Sequence, residues 1–96
     1  GKKIVVTPGM IELGKIEDEE NTKFGEHIAE VCNEVILVGD KQTKAIQKGL
    51  ENKKFDKEHL FIVDNVLEAF PLVNRLKGEE TYVLLENDLP DFLSKE

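Results

Sequence analysis

The sequence predicts one α/β domain in three layers, built around a mainly parallel sheet. Three observations predict it. The chain has 96 residues, which suffice for one domain. It contains four short apolar runs, and segments with helical periodicity separate them. The resulting order, β-α-β-α-β-α-β, is typical of parallel strands joined by helical crossovers, and therefore of a Rossmann-like domain.

The strands are predicted at the four apolar runs, which are KIVVT (3–7), EVILV (34–38), LFIVD (60–64) and TYVLL (81–85). A strand with one face in water alternates polar and apolar residues, whereas these runs are continuous. Continuous runs of this length predict strands that are covered on both faces, as in a parallel sheet.

The helices are predicted in the three intervening segments. Residues 19–32 place apolar side chains at i, i+4, i+7 and i+8, which is one face of a helix. Residues 42–52 carry a weaker stripe and residues 65–76 a strong one. In the last segment Asn65 and Glu68 have the spacing of a helix cap. Pro71 lacks a backbone donor, so it predicts either a kink or a helix that starts nearer residue 70.

Composition excludes several classes of partner. The net charge is −7, with 20 acidic and 13 basic residues, so nucleic acid and anionic membranes are not expected partners. No apolar run approaches the roughly 20 residues that cross a bilayer. The single cysteine, Cys32, cannot form an internal disulfide, which indicates a reducing, cytoplasmic location.

The strand ends are where a ligand is expected, because open α/β sheets bind ligands outside the carboxyl ends of their strands. The first of these ends is the loop from Thr7 to Glu12, where Pro8 stops strand pairing and Gly9 permits unusual backbone angles. Such a loop brings main-chain groups close to a ligand, with Glu12 beside it. The alternative is a tight turn whose Glu12 is solvated.

Other strand ends give weaker candidates. The segment GDKQTK (39–44) precedes a helix start, where free N–H groups favour anions, but it is not a P-loop. The acids Glu86, Asp88 and Asp91 could hold magnesium through water, or form a solvated acidic loop. Neither histidine has a second ligand at metal-binding spacing, so no metal site is predicted from them.

The chain resembles the C-terminal domain of the Mur ligases, and within them the branch that adds D-alanyl-D-alanine to a UDP-N-acetylmuramoyl-tripeptide. The resemblance covers residues 1–96. It is carried by KKIVVTPGMIELG, NTKFGEHIA, VILVGDKQTKAIQKGL and TYVLLENDLPD, and most specifically by Gly9-Met10, Glu12-Leu13-Gly14, Gly25 and Val38-Gly39.

The resemblance implies a part of a larger enzyme. Mur ligases use ATP and Mg²⁺ to phosphorylate a carboxylate, which an incoming amine then attacks to form an amide during synthesis of peptidoglycan precursors. The phosphate-binding loop and the Mg²⁺ ligands lie in a central domain. The C-terminal domain closes over it and is not expected to bind a cofactor tightly by itself. The implied partners are this central domain, a small-molecule amine and a UDP-sugar peptide.

The resemblance also assigns residues, which we carry over position by position. The implied substrate-facing residues are Thr7, Pro8, Gly9, Met10, Glu12 and Asn21, where Asn21 replaces a histidine common in the ligase branch. The implied nucleotide-facing residues are Gly39, Lys41, Glu86, Asn87 and Asp88. No catalytic residue and no metal ligand is assigned to this domain.

Two departures from the family pattern put the identity of the amine in question. Pro8-Gly9-Met10 stands where the branch usually has Gly-Asp-Met, and the acidic LENDLPD replaces a basic segment. The family domain also opens with one more strand and helix, so we expect this chain to be a fragment whose sheet edge can self-associate.

A free-standing flavodoxin-like signalling or binding module is the alternative, because Asp64 lies at a strand end where a receiver domain carries its phosphorylated aspartate. Against it, a receiver needs an acidic pair after its first strand, where this chain has Thr7 and Pro8.

Overall fold

The computed structural model describes residues 2–9 and 14–85. The strands are β1 (Lys2–Thr7), β2 (Glu34–Val38), β3 (Leu60–Val63) and β4 (Thr81–Leu85). The helices are α1 (Glu17–Val31), α2 (Lys44–Asn52) and α3 (Ala69–Leu76). Short 3₁₀ turns at Gly14–Ile16, Lys57–His59 and Val66–Glu68 lead into α1, β3 and α3. The predicted order of elements is confirmed.

The sheet is parallel throughout, with the strand order β3-β2-β1-β4. β1 is central, and its Val5 lies opposite Val35 of β2 on one side and Leu84 of β4 on the other. This is the order that begins a Rossmann-like sheet, and it confirms the predicted fold class. A flavodoxin-like sheet would place β1 between β2 and β3, whereas here β2 lies between β1 and β3.

The helices cover the sheet from both faces. α1 and α2 pack on one face, where the buried core consists of Val5, Ile28, Cys32, Val35, Leu37, Ile46 and Leu50. α3 packs on the other face, over Ile4, Val6, Ile36, Val38, Val63 and Ala69. The alternating residues of β1 and β2 thus enter two separate cores, which explains why both strands are apolar at every central position.

The contact between α1 and α2 depends on two glycines. A Cβ atom at Gly49 would overlap the carbonyl oxygen of Thr22 and would lie 2.8 Å from the backbone nitrogen of Glu26. A Cβ atom at Gly25 would overlap the carbonyl oxygen of Ile46. The two helix backbones therefore touch directly, which no larger residue allows at these positions.

The start of α3 settles the position of Pro71. α3 begins at Ala69, so Pro71 falls in the first turn, where its missing N–H has no helical partner to lose. The cap predicted at Asn65 is confirmed, because its Oδ1 accepts a hydrogen bond from Glu68 N at 3.3 Å. Glu68 reaches back in turn, and its carboxylate accepts from Asp64 N at 2.9 Å.

The prediction that every strand is covered on both faces is wrong for β4, and it also fails in β3 at Ile62, which is 41% exposed. Tyr82 and Leu84 project on the face of α1 and α2 and are 60% and 38% exposed. Val83 and Leu85 project on the face of α3 and are 40% and 53% exposed.

Within residues 2–9 and 14–85, no helix is both long enough and apolar enough to cross a bilayer.

Candidate functional site

The topology singles out the end of β1. The chain moves from β1 to β2 to β3 in one direction, and β4 then lies on the opposite side of β1. The connections diverge at this point, because α1 and α2 cover one face and α3 the other. In open α/β sheets such a switch point is where the carboxyl ends of the strands leave room for a ligand. Thr7, Pro8 and Gly9 leave β1 there.

The described part of this loop is shaped by its own backbone. Gly9 has a φ of +87°, a left-handed conformation that glycine adopts without strain. Its N–H donates a hydrogen bond to the Thr7 hydroxyl oxygen at 3.0 Å. Thr7, Pro8 and Gly9 are all buried. Thr7 is 0% exposed, and its hydroxyl oxygen accepts the hydrogen bond that holds the turn, while its role toward a substrate stays a prediction.

Asn21 lies directly beneath the loop. It is 2% exposed, and its Nδ2 donates to the carbonyl oxygen of Glu17 at 3.0 Å, one turn earlier in α1. A Cβ atom at Gly9 would lie 3.1 Å from Asn21 Oδ1 and 3.0 Å from Ile46 Cδ1. The φ of Gly9 therefore favours glycine, and a side chain here would also press on Asn21 and Ile46. Asn21 is brought to the predicted loop, as a buried support.

The turn between β2 and α2 is tied to the same loop. Gln42 Nε2 donates to the carbonyl oxygen of Pro8 at 3.2 Å, so one amide bridges the two strand ends. Gly39, with a φ of +95°, donates its N–H to Val63 O at 2.7 Å. Three neighbouring strand ends are thus linked, and Gln42 is a residue that the sequence analysis did not single out.

The charges around these turns differ from one helix start to the next. Four acids, Glu17, Asp18, Glu19 and Glu20, occupy the first turn of α1, whereas the first turn of α2 has none. Beside α2, a hydrogen bond from Gln47 and the Lys44 ammonium 3.2 Å away hold the pKa of Asp40 below its ordinary value of 3.8. Lys41 is exposed next to them. An anion is therefore favoured at the start of α2 over that of α1.

Five predicted site residues lie outside the described residues: Met10, Glu12, Glu86, Asn87 and Asp88. Asp91, the third member of the predicted acidic group, lies outside them too. Asp64 is exposed and directly follows β3, which is an edge strand of the sheet that the described residues form. Among the described residues, no group of three or more histidine, cysteine, aspartate or glutamate side chains is arranged to hold a metal ion.

A charged cluster at the amino end of the sheet was missed by sequence reasoning. The side chain of Glu34 is only 5% exposed, and both of its carboxylate oxygens lie 3.0 Å from His59 Nδ1. Lys2 Nζ lies 3.7 Å from the same carboxylate and donates to Leu76 O at 2.9 Å. The sequence feature that could have indicated this cluster is Glu34, a charged residue at the first position of the otherwise apolar strand β2. The cluster joins the starts of three strands, far from the switch point.

The family models, the curated proteins and the solved structures with which we compared the chain gave no match.

Proposed function

We propose that this chain is the closing domain of an ATP-dependent amide ligase of the Mur type, in which it covers reactants held by a neighbouring domain. The observation that carries the proposal is the position of the loop after β1. It leaves the central strand at the switch point of a Rossmann-like sheet, and it is supported from two other elements through Asn21 and Gln42.

The support beneath the loop suits a surface that must keep its shape when two domains meet. Thr7, Asn21 and Gln42 bind backbone atoms of Pro8 and Gly9 or pack against them, and so hold these two residues in place. Closure accelerates amide formation because it aligns the amine with the acyl phosphate and excludes water from that intermediate. In this proposal Thr7 and Asn21 are positioning residues, and the substrate contacts fall on the loop beyond Gly9, including Glu12.

The charges at the starts of α1 and α2 support a role in domain closure over a role in binding nucleotide. The four acids in the first turn of α1 already occupy the positive end of its dipole, and they repel a triphosphate. At the start of α2, Lys44 is paired with Asp40 at 3.2 Å. ATP and Mg²⁺ are therefore assigned to the central domain, with Gly39 and Lys41 close to the nucleotide only in the closed form.

The first test is the coding sequence upstream of Gly1. We expect it to encode a glycine-rich phosphate-binding loop, since that loop is where a ligase cradles its nucleotide. A gene in which no such domain precedes this one would overturn the proposal.

The second test is kinetic and uses the encoded ligase. Gln42→Ala removes the amide that holds Pro8, and we expect it to lower kcat by about tenfold through misalignment, with an unchanged Tm. The matched control is Gln47→Ala, which removes an amide bound to Asp40 and leaves the loop alone. Glu12→Ala is expected to impair turnover more than folding. Equal kinetics in all four proteins would remove the case for this loop.

The alternative of a phosphorylated signalling module is tested on the chain alone. Incubation with acetyl phosphate and Mg²⁺ is expected to leave Asp64 unlabelled, because the strand order is not flavodoxin-like and Asp64 directly follows an edge strand of the described sheet. Stable labelling at Asp64 would favour the signalling module over the ligase.

A further inference from the structure

The outer edge of β4 has no partner strand within residues 2–9 and 14–85. Among the described residues β4 pairs only with β1, so one row of its backbone N–H and C=O groups has no strand beside it. Thr81–Leu85 contains no charged residue, no proline and no glycine. Its last four side chains are 38% to 60% exposed and project on both faces of the sheet. Edge strands of this kind are ready to pair with another chain.

The opposite edge of the sheet, at β3, carries a groove. It encloses about 400 Å³ between α2 and β3. Leu50, Phe55, Leu60 and Ile62 contribute apolar surface to it, and Ile62 is 41% exposed. β3 pairs only with β2 within the part of the chain that the structure describes. The groove therefore lies beside a second free strand edge, which is the arrangement that accepts an added strand.

We propose that these two edges fit each other, so that β4 of one copy of this chain adds in parallel to β3 of a second copy. Leu84 lies opposite Val5, which belongs to the core under α1 and α2, and Leu60 packs against that same core. In a sheet continued in parallel from one copy to the next, Tyr82 and Leu84 therefore project on the side of the groove. The exposed side chains of Tyr82 and Leu84 from one copy would then fill the groove between α2 and β3 of the next copy.

The lysines before β3 and the glutamates before β4 favour this pairing. Glu79 and Glu80 precede β4. Lys54 and Lys57 precede β3, and Lys57 lines the groove. The acids Asp56 and Glu58 lie in the same segment, where Asp56 accepts from Glu58 N and lies 3.9 Å from His59. Within residues 2–9 and 14–85, neither these two lysines nor Glu79 and Glu80 form an ion pair. Parallel addition brings the amino ends of β4 and β3 together, and so sets the glutamates beside the lysines. Two copies joined through β4 alone would leave the groove empty and the glutamates without these lysines.

The pairing is head-to-tail, since it uses a different edge from each copy. Each added copy presents a fresh β4 edge at one end and a fresh β3 groove at the other, so the association is open and does not stop at a dimer. It is independent of the proposed ligase function, because it involves the two outer strands and leaves the end of β1 free.

The test uses the 96-residue chain in sedimentation or light-scattering measurements over a range of concentrations. We expect the weight-average mass to rise past that of a dimer. Leu84→Lys places a charge on β4, and Ile62→Lys places one in the groove, so each variant alone is expected to stay monomeric. An equimolar mixture of the two retains one intact edge of each kind, and is expected to form a dimer that grows no further.

Three controls accompany the mixture. Leu67→Lys changes an apolar residue that is 71% exposed and belongs to neither edge, and it is expected to associate like the unaltered chain. Circular dichroism melts confirm that each variant is folded. Lys57→Glu is expected to weaken association at low salt, and mixing it with the variant Glu79→Lys/Glu80→Lys is expected to strengthen it again.

Several results would overturn the proposal. They are a chain that stays monomeric at every concentration, an association that stops at two copies, a folded Ile62→Lys variant that still assembles by itself, and a mixture of the two variants that stays monomeric.

Discussion

The two sides of β1 differ in how completely they are covered. On one side lies the covered half of the sheet, β2 and β3, with α1 and α2 on one face and α3 on the other. Ile62 of the outer strand β3 is the exception in this half, because it is 41% exposed. On the other side lies the open half, which is β4. Val35 of β2 and Val83 of β4 are the same residue type in two strands that both pair with β1, yet Val35 is 0% exposed and Val83 is 40% exposed. An apolar run therefore specifies a strand, but the crossovers decide whether its faces are buried.

The difference follows from how a crossover works. α1 joins β1 to β2 and α2 joins β2 to β3, so both helices lie over the strands that they connect. α3 returns from β3 to β4 over the opposite face, and the residues it buries belong to β1, β2 and β3. No described helix follows β4. Among the described strands β4 pairs with β1 alone, whereas β1 has a strand on each side and helices over both of its faces.

The largest expected effect contrasts one substitution in the two halves. Val35→Ala removes two buried methyl groups between α1, α2 and the sheet, and we expect it to lower the free energy of unfolding by about 2–3 kcal/mol. Val83→Ala removes the same groups from a half-exposed position and is expected to cost about 0.5 kcal/mol or less. Urea denaturation, at concentrations where the chain is monomeric, measures both.

Equal losses in the two variants would contradict the comparison, because they would mean that β4 is as well packed in solution as β2. Hydrogen exchange gives an independent reading of the same contrast. Amides of β2 are expected to exchange through global unfolding, and those of β4 through smaller openings.

The second effect concerns the helix pair that covers one face. Gly49→Ala forces a methyl group into the backbone of α1 at Thr22 and Glu26, and overpacking of this kind costs about 1–3 kcal/mol. The helix preference for alanine recovers up to about 1 kcal/mol. We therefore expect a net loss of about 1–2 kcal/mol in thermal or urea unfolding.

Gly78→Ala is the matched control for this substitution. Nothing lies within 4 Å of a Cβ atom at Gly78, which precedes β4. It is expected to change stability by about 0.5 kcal/mol at most. A loss at Gly78 that equals the loss at Gly49 would show that chain stiffness, and not the contact between α1 and α2, decides the outcome.

The fold was largely predictable because hydrophobic periodicity specifies element type. Four continuous apolar runs with helical segments between them sufficed for the order of elements, and the observed strands begin and end within one residue of those runs. The strand order and the exposure of the β4 side chains were not predictable in this way. Both depend on which face each crossover takes, and periodicity within a segment carries no information on that.

The position of the candidate site in the fold was predictable from the sequence, but the contacts between its residues were predictable only in part. Pro8 and Gly9 at a strand end indicated the loop, because their backbone restrictions are local. The inward direction of Thr7 and the bridge from Gln42 to Pro8 were missed. Each joins residues that are set beside one another only when three strand ends meet, as is also true of Glu34 and His59 at the other end of the sheet.

The smallest expected effect tests whether side-chain hydrogen bonds persist at the solvent-exposed surface of the covered half, beside α2. Asp40 is exposed, with 58% of its side chain accessible, and its pKa is lowered by the Gln47 hydrogen bond and then by Lys44. A lowered pKa stabilises the folded chain above the unfolded value of 3.8, and that contribution is lost as pH falls through the folded pKa. Gln47→Ala is expected to return the pKa of Asp40 toward 3.8 in an NMR titration, whereas Lys48→Ala, one residue further along α2, leaves it in place. If Asp40 has the same pKa in both variants as in the unaltered chain, the hydrogen bond from Gln47 to Asp40 does not persist in water. The fixed side-chain contacts of the covered half would then be limited to its buried residues.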